Sequence, residues 1–325
     1  MSVFTHSTFI HSVLPTQMTK FSVIILGSNS AMPVYDRHPS AQVLNVNENL
    51  YLIDCGEGTQ MQIQKYSIRT AKLNHIFISH LHGDHYLGLI PLLDTFALLG
   101  RTVPIYLYAP AALLKVIDLH RTINGWTMED APYPIHFYPL NPSESELILD
   151  SKNLKVRSIP LDHRVPCTGF VFEEKQKDRK MLAEKIKTFN IPYTAIPSIK
   201  KGADFTTEEG VVIPNTELTA DPPQTRSYAY CSDTAYTESI LPFIEGVDLL
   251  YHEATYLEDR AELAAPRGHS TAKEAATIAR KAGAKQLLLG HFSSRYQELY
   301  PFEEEAKTVF LNSELAVEGK EFVVE

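Results

Sequence analysis

The run Ser79-His80-Leu81-His82-Gly83-Asp84-His85 constrains this chain more than any other feature. His80, His82, Asp84 and His85 place four metal-competent side chains within six positions. Packing does not explain that density, whereas imidazoles and a carboxylate on one tight loop suit zinc or a neighbouring divalent ion. Gly83 is expected to give the backbone room to turn these groups toward a common point. Alternating side chains on such a turn can feed two ions rather than one.

Neighbouring segments set the position of the loop. Residues 75–79 read as a strand and 86–99 as a helix, so the cluster lies on a strand-to-helix connection. Residues 21–26 and 49–54 also read as strands, the second running into the glycine turn Cys55-Gly56-Glu57-Gly58 and a helix. Further strands are predicted at 104–108, 155–159, 169–172, 228–231, 248–251 and 286–289, and helices at 111–120, 271–282 and 302–311. Strands that crowd the first half and alternate with helices toward the end suit two sheets sandwiched between helices, an α/β architecture of αββα type.

A two-ion site needs more ligands than one loop supplies, and they belong at the ends of other strands, where loops gather. His163, Asp233 and His291 each follow a predicted strand within a few residues. His6, His11, His38, His75, His120 and His136 lack that placement and read as solvated or core histidines.

At 325 residues the chain can form one large domain with an insertion. No apolar run approaches the length a bilayer crossing requires, so the chain is expected to be soluble, with no membrane partner. Residues 1–17 lack the basic start and apolar core of a secretory signal and are expected to be a disordered tail, with Met18 an alternative start and a folded domain over 18–325. Cys55, Cys167 and Cys231 are widely separated, without a Cys-x-x-Cys pair. They read as buried packing residues of a protein from the reducing cytoplasm.

The net charge of −9 opposes a polyanionic partner, except in one segment. From residue 175 to 201, Lys175, Lys177, Arg179, Lys180, Lys185, Lys187, Lys200 and Lys201 stand against Asp178 and Glu184, so eight minus two gives +6. An acidic body with one basic segment repels polyanions everywhere except where it holds them. Residues 173–226 contain no long apolar strand and several proline turns, and are expected to form a protruding insertion.

The His80 to His85 run is the signature of the metallo-β-lactamase superfamily, and the wider pattern resembles ribonuclease Z, the endonuclease family that trims precursor tRNA at its 3′ end. The resemblance rests on Gly27-Ser28-Asn29-Ser30-Ala31-Met32-Pro33, Asp54-Cys55-Gly56-Glu57-Gly58-Thr59-Gln60, Ser232-Asp233-Thr234, His252-Glu253-Ala254-Thr255, Gly268-His269-Ser270 and Gly290-His291-Phe292-Ser293-Ser294-Arg295-Tyr296. It implies a metallo-β-lactamase αββα sandwich with a helical, basic arm at about 173–226, two zinc ions per subunit (manganese or a similar ion being an alternative), and a homodimer. It places His80, His82 and His163 on one ion, Asp84, His85 and His291 on the other, and Asp233 between them. Asp84, His269 and Glu253 are then the catalytic residues, with His269 the acid that protonates the leaving oxygen and Glu253 its partner. Asp54 is implied to orient a histidine ligand. His252 is divided between supporting the site and a structural role. Lys175, Lys177, Arg179, Lys180, Lys200 and Lys201 are implied to contact tRNA phosphates. The arm departs from the family's glycine-proline turn and glycine-rich basic loop, reading Ile191-Pro192-Tyr193-Thr194-Ala195-Ile196-Pro197-Ser198-Ile199-Lys200-Lys201-Gly202 instead.

Three functions fit to different degrees. A precursor-tRNA endonuclease would leave a 3′-hydroxyl on the tRNA and a 5′-phosphate on the trailer. A small-substrate phosphodiesterase on the same scaffold needs the ions and not the basic segment. A non-catalytic RNA-binding relative would have lost metal ligands, and none is missing, so it ranks last.

Overall fold

The computed structural model describes residues 20–125 and 131–325. The expected tail at 1–17, with His6 and His11, lies outside the described residues. Among them, two seven-stranded sheets dominate. One runs, edge to edge, through Glu321–Val323, Phe21–Gly27, Ala41–Val46, Asn49–Cys55, Leu73–Phe77, Ile105–Ala109 and Ile135–Pro139. The other runs through Ser313–Leu315, Gln286–Gly290, Leu249–Glu253, Ser227–Cys231, Cys167–Glu174, Leu154–Leu161 and Leu147–Asp150.

The central strands are buried on both faces, which is why they read as near-continuous apolar runs. Side chains alternate between two buried layers, because successive residues of a strand point to opposite faces. Tyr51, Ile53 and Phe77 meet Phe170, Phe172, Tyr228, Tyr230 and Tyr251 between the sheets. Leu52, Ile76 and Leu107 instead face the helix side, with Leu89, Leu92 and Phe96 of the helix Leu89–Leu98. On the outer face of the second sheet, Ala229, Leu250 and Leu287 pack with the alanine-rich helix Ala272–Ala282. A Thr271–Glu274 capping box starts that helix.

Asn49–Cys55, Leu73–Phe77 and Ile105–Ala109 are mutually parallel, as are Ser227–Cys231, Leu249–Glu253 and Gln286–Gly290. Parallel strands bring their carboxyl ends to one edge, so the loops that follow them converge there.

The expected helix over 86–99 is two helices, Gly83–Tyr86 and Leu89–Leu98. The Gly88 N–H donates to the Cys55 carbonyl at 2.9 Å instead of continuing the first helix. A Cβ at Gly88 would stand 2.0 Å from the Gly56 oxygen, so this close approach needs glycine. Asp84 and His85 consequently ride on a helical turn. Gly83 opens that turn with an ordinary rather than left-handed backbone, and a Cβ there would stand 2.8 Å from Leu87 Cδ1.

Residues 175–226 leave and rejoin the second sheet at adjacent antiparallel strands. The Glu174 N–H donates to the Arg226 carbonyl at 2.9 Å, and the Arg226 guanidinium pairs with the Glu174 carboxylate at 2.9 Å. Between these points lie the helices Ala183–Thr188, Ile196–Lys200 and Asn215–Leu218, and the strand pairs Lys180–Met181 with Thr219–Ala220 and Phe205–Thr206 with Val212–Ile213. They enclose a core of their own, of which Ile191, Ile199, Ile213 and Leu218 are the buried members.

Candidate metal centre

His80, His82, Asp84 and His85 meet His163, Asp233 and His291 at the shared sheet edge. His163 lies on the turn between Leu154–Leu161 and Cys167–Glu174, Asp233 follows Ser227–Cys231, and His291 follows Gln286–Gly290. Two donor groups draw on the His80–His85 run, with ligand atoms in each within 4.8 Å of one another: His80, His82, His163 and Asp233; and Asp84, His85 and His291; a third such cluster, Asp233, Glu253, His269 and His291, shares Asp233 with the first and His291 with the second.

His82 Nδ1 lies 3.0 Å from His80 Nε2 and 3.2 Å from His163 Nε2. His85 Nε2 lies 3.2 Å from His291 Nε2, which is 3.4 Å from Asp84 Oδ2. Asp233 faces both groups with different oxygens. Its Oδ2 is 3.7 Å from His80 Nε2, while its Oδ1 is 3.4 Å from His85 Nε2 and 3.2 Å from His291 Nε2. Converging imidazole lone pairs repel one another unless a cation sits between them, so the donor set fits divalent metal.

The electrostatics agree. Burial opposes a charge on His85, yet Asp233, Asp84 and Asp54 outweigh it and push its pKa up to about 10. Burial and neighbouring imidazoles hold His80 below the ordinary histidine value, and burial does the same for His82 and His163. Burial would raise Asp84, but His85 and His291 hold it well below the usual carboxylate range. The cluster thus combines ionised carboxylates with imidazoles, one of which would carry a proton where no metal supplies the positive charge.

Asp54 is buried and accepts four hydrogen bonds: from Ser79 N–H at 2.7 Å, Ser79 Oγ at 2.8 Å, His85 Nδ1 at 2.7 Å and the Tyr230 hydroxyl at 2.7 Å. It therefore orients His85 directly. Its φ of 55° and that of 58° at His291 lie in the left-handed region, costly for residues other than glycine and common where a site needs a side chain aimed. The Ala31 N–H donates to Asp84 Oδ2 at 2.7 Å, which brings the segment Gly27 to Pro33 to the site. Gly268 accepts from His163 Nδ1 at 2.7 Å, and a Cβ there would stand 2.7 Å from that same nitrogen.

Glu253, also fully buried, receives Thr234 N–H, Thr255 N–H, the Thr255 hydroxyl, Ser270 N–H and His269 Nδ1 at 2.7 to 3.2 Å. Burial disfavours a charge on His269, but Glu253 above all, with Asp233, raises its pKa to about 9. His269 lines a cleft of ≈ 340 Å³ together with His82, Asp84, Asp233, His291, Glu57 and Arg164.

His252 is buried and joins neither donor group; its Nδ1 donates to the Glu253 carbonyl at 2.8 Å, its link to the site. His75 stacks between Tyr51 and Tyr106, His120 pairs with Asp94, and His38 with Glu318, all outside the donor groups. The three cysteines are free and buried. In the basic segment, Lys175 pairs with Asp150 and Arg179 with Asp221, while Lys180 and Lys201 are exposed and Lys200 half-buried. Lys175, Lys177, Arg179, Lys180 and Lys200 share a second cleft with Lys152.

The parts played by Ser79, Thr255, Tyr230, the Ala31 N–H, the Gly268 carbonyl and Arg164 are not legible in the sequence. Ser79 adjoins the histidine run and Thr255 closes His252-Glu253-Ala254-Thr255, but nothing in spacing says where a hydroxyl points.

The family model described as Beta-lactamase superfamily domain matches residues 184–292, and the one described as Anti-Pycsar protein Apyc1 matches residues 21–190. The short form of human tRNase Z has a similar structure, with a TM-score of 0.65 and 26% identity, covering 94% of this chain and 99% of that one. Fold and donor cluster together define a metallo-β-lactamase-fold hydrolase with a divalent-metal site. Ribonuclease Z of Parabacteroides distasonis is 43% identical over 302 residues, covering 93% of this chain and 98% of that protein. Ribonuclease Z of Porphyromonas gingivalis is 45% identical over 293 residues, covering 90% and 95%. The chain belongs to the ribonuclease Z family.

Proposed function

We propose that this chain is an endoribonuclease that removes the 3′ trailer of precursor tRNA, using two zinc ions held by the two donor groups. The observation that carries the two-ion reading is Asp233, whose two oxygens face different groups of donors. His80, His82 and His163 would hold one ion, Asp84, His85 and His291 the other, and Asp233 would bridge. When bound, such a pair acidifies water and neutralises phosphoryl charge.

The chain's own residues do the rest. Asp54 and the Gly268 carbonyl fix imidazoles with the free nitrogen toward the site. His269 protonates the departing ribose 3′-oxygen, a poor leaving group without a proton, and Glu253 holds His269 in its charged form. The products are a tRNA 3′-hydroxyl and a trailer 5′-phosphate. Residues 173–226 act as the arm that captures RNA, through Lys180, Lys200 and Lys201 and the basic cleft that Lys175, Lys177 and Arg179 help line. A homodimer in the cytoplasm belongs to the same reading; no helix among the described residues is long and apolar enough to cross a membrane.

Metal counting on purified Asp233→Ala, paired with its activity on a 3′-extended precursor tRNA, tests the proposal. Loss of cleavage with fewer bound ions supports it, and an active variant with both ions in place removes the bridging role.

A further inference from the structure

We infer that the hydroxyls of Ser79 and Thr255 are positioning relays, each carrying the hold of a buried carboxylate on to the Nδ1 of one ligand histidine. The inference rests on the two-ion reading above and extends it to residues outside the ligand set. It follows from proton counting around Asp54 and Glu253.

An ionised carboxylate only accepts hydrogen bonds. Ser79 Oγ lies 2.8 Å from Asp54 Oδ2, so its single proton is spent there. Its remaining lone pairs face His80 Nδ1 at 3.0 Å, a nearer partner than the weakly donating Cys167 Sγ at 3.6 Å, so that nitrogen carries the proton and donates to the hydroxyl. His80 Nε2 is left with a free lone pair, aimed at His82 Nδ1 and Asp233. Thr255 repeats the logic. Its hydroxyl is 2.7 Å from Glu253 Oε2 and 2.9 Å from His291 Nδ1, while its distance to the His291 carbonyl is 3.1 Å. The shorter contact to the charged acceptor takes the proton. His291 Nδ1–H therefore donates to Thr255, and Nε2 faces Asp84 and Asp233.

Each carboxylate thus holds one histidine directly and one through a hydroxyl: Asp54 holds His85 and His80, and Glu253 holds His269 and His291. Asp54 ties together one ligand of each proposed ion, and Glu253 ties a ligand to the proposed acid. A group that fixes the tautomer of a ligand changes metal affinity by roughly 10- to 100-fold when removed.

The test is a competition of zinc-loaded protein against a chelator of known affinity, with bound metal counted, for wild type, Ser79→Ala, Thr255→Val and Thr255→Ser. Expected are two ions in wild type, one of the two weakened about 10- to 100-fold in Ser79→Ala and in Thr255→Val, and recovery in Thr255→Ser, which restores the hydroxyl. Unchanged affinity for both ions in folded Ser79→Ala and Thr255→Val overturns the relay. Fewer than two ions in wild type would instead strike at the two-ion reading. Nitrogen-15 NMR of zinc-loaded wild type decides the relay without any variant: a proton on Nδ1 of His80 and His291 supports it, and a proton on Nε2 overturns it.

Discussion

The metal centre and the segment 175–226 are built on opposite plans. Every proposed ligand stands at the end of a core strand or on the loop and helical turn that follow one, and the supporting Asp54 and Glu253 are fully buried with four and five donors. The segment has a small core centred on four buried aliphatic residues, two-residue strands and exposed lysines, and it joins the sheet where Glu174 meets Arg226. The proposed chemistry is therefore placed where packing forbids small movements, and the proposed capture of RNA on a surface segment where sequence change costs less.

That contrast is open to attack at each end. The largest effect is expected at the centre: Asp233→Ala should abolish phosphodiester cleavage and empty at least one metal position, read by metal counting beside an activity assay. His269→Ala should lower kcat on precursor tRNA by roughly 10²- to 10⁴-fold, the usual range for a general acid. Its hydrolysis of bis-p-nitrophenyl phosphate should suffer much less, because nitrophenolate leaves without a proton; equal losses would remove His269 from the acid role. Replacing residues 175–225 by a short linker should raise KM for the precursor by about tenfold or more while sparing the small diester, since it removes phosphate contacts and not ligands. Equal loss of both activities would show that the segment supports the fold. The smallest effect is expected from Lys201→Glu, which should flatten the salt dependence of RNA binding by a slope of about 0.7 to 0.9 for one lost phosphate contact.

The same contrast separates what the sequence reveals from what it conceals. His163, Asp233 and His291 were legible because each follows an apolar strand, and position after a strand is a one-dimensional signal. Asp54 was legible as a partner of a histidine from its place in the run at the end of a strand, and it lies 2.7 Å from His85 Nδ1. The strand Ala41–Val46 was not, because Gln42 and Asn45 interrupt its apolar run, although both are buried in the sheet. The break at Gly88 was hidden for a different reason: it depends on Cys55, far away in sequence, taking the N–H that a helix would use. Ser79 and Thr255 share that fate, since the role of a hydroxyl is set by which carboxylate and which imidazole the fold brings to it.

The decisive measurement for the endoribonuclease reading is cleavage of a 3′-extended precursor tRNA by metal-loaded protein, beside bis-p-nitrophenyl phosphate and with an EDTA control. A single cut is expected just after the unpaired discriminator base, lost with chelator, together with metal-dependent hydrolysis of the ester. Hydrolysis of the ester with the RNA left intact would contradict that reading and favour a phosphodiesterase for small substrates on the same two-metal scaffold.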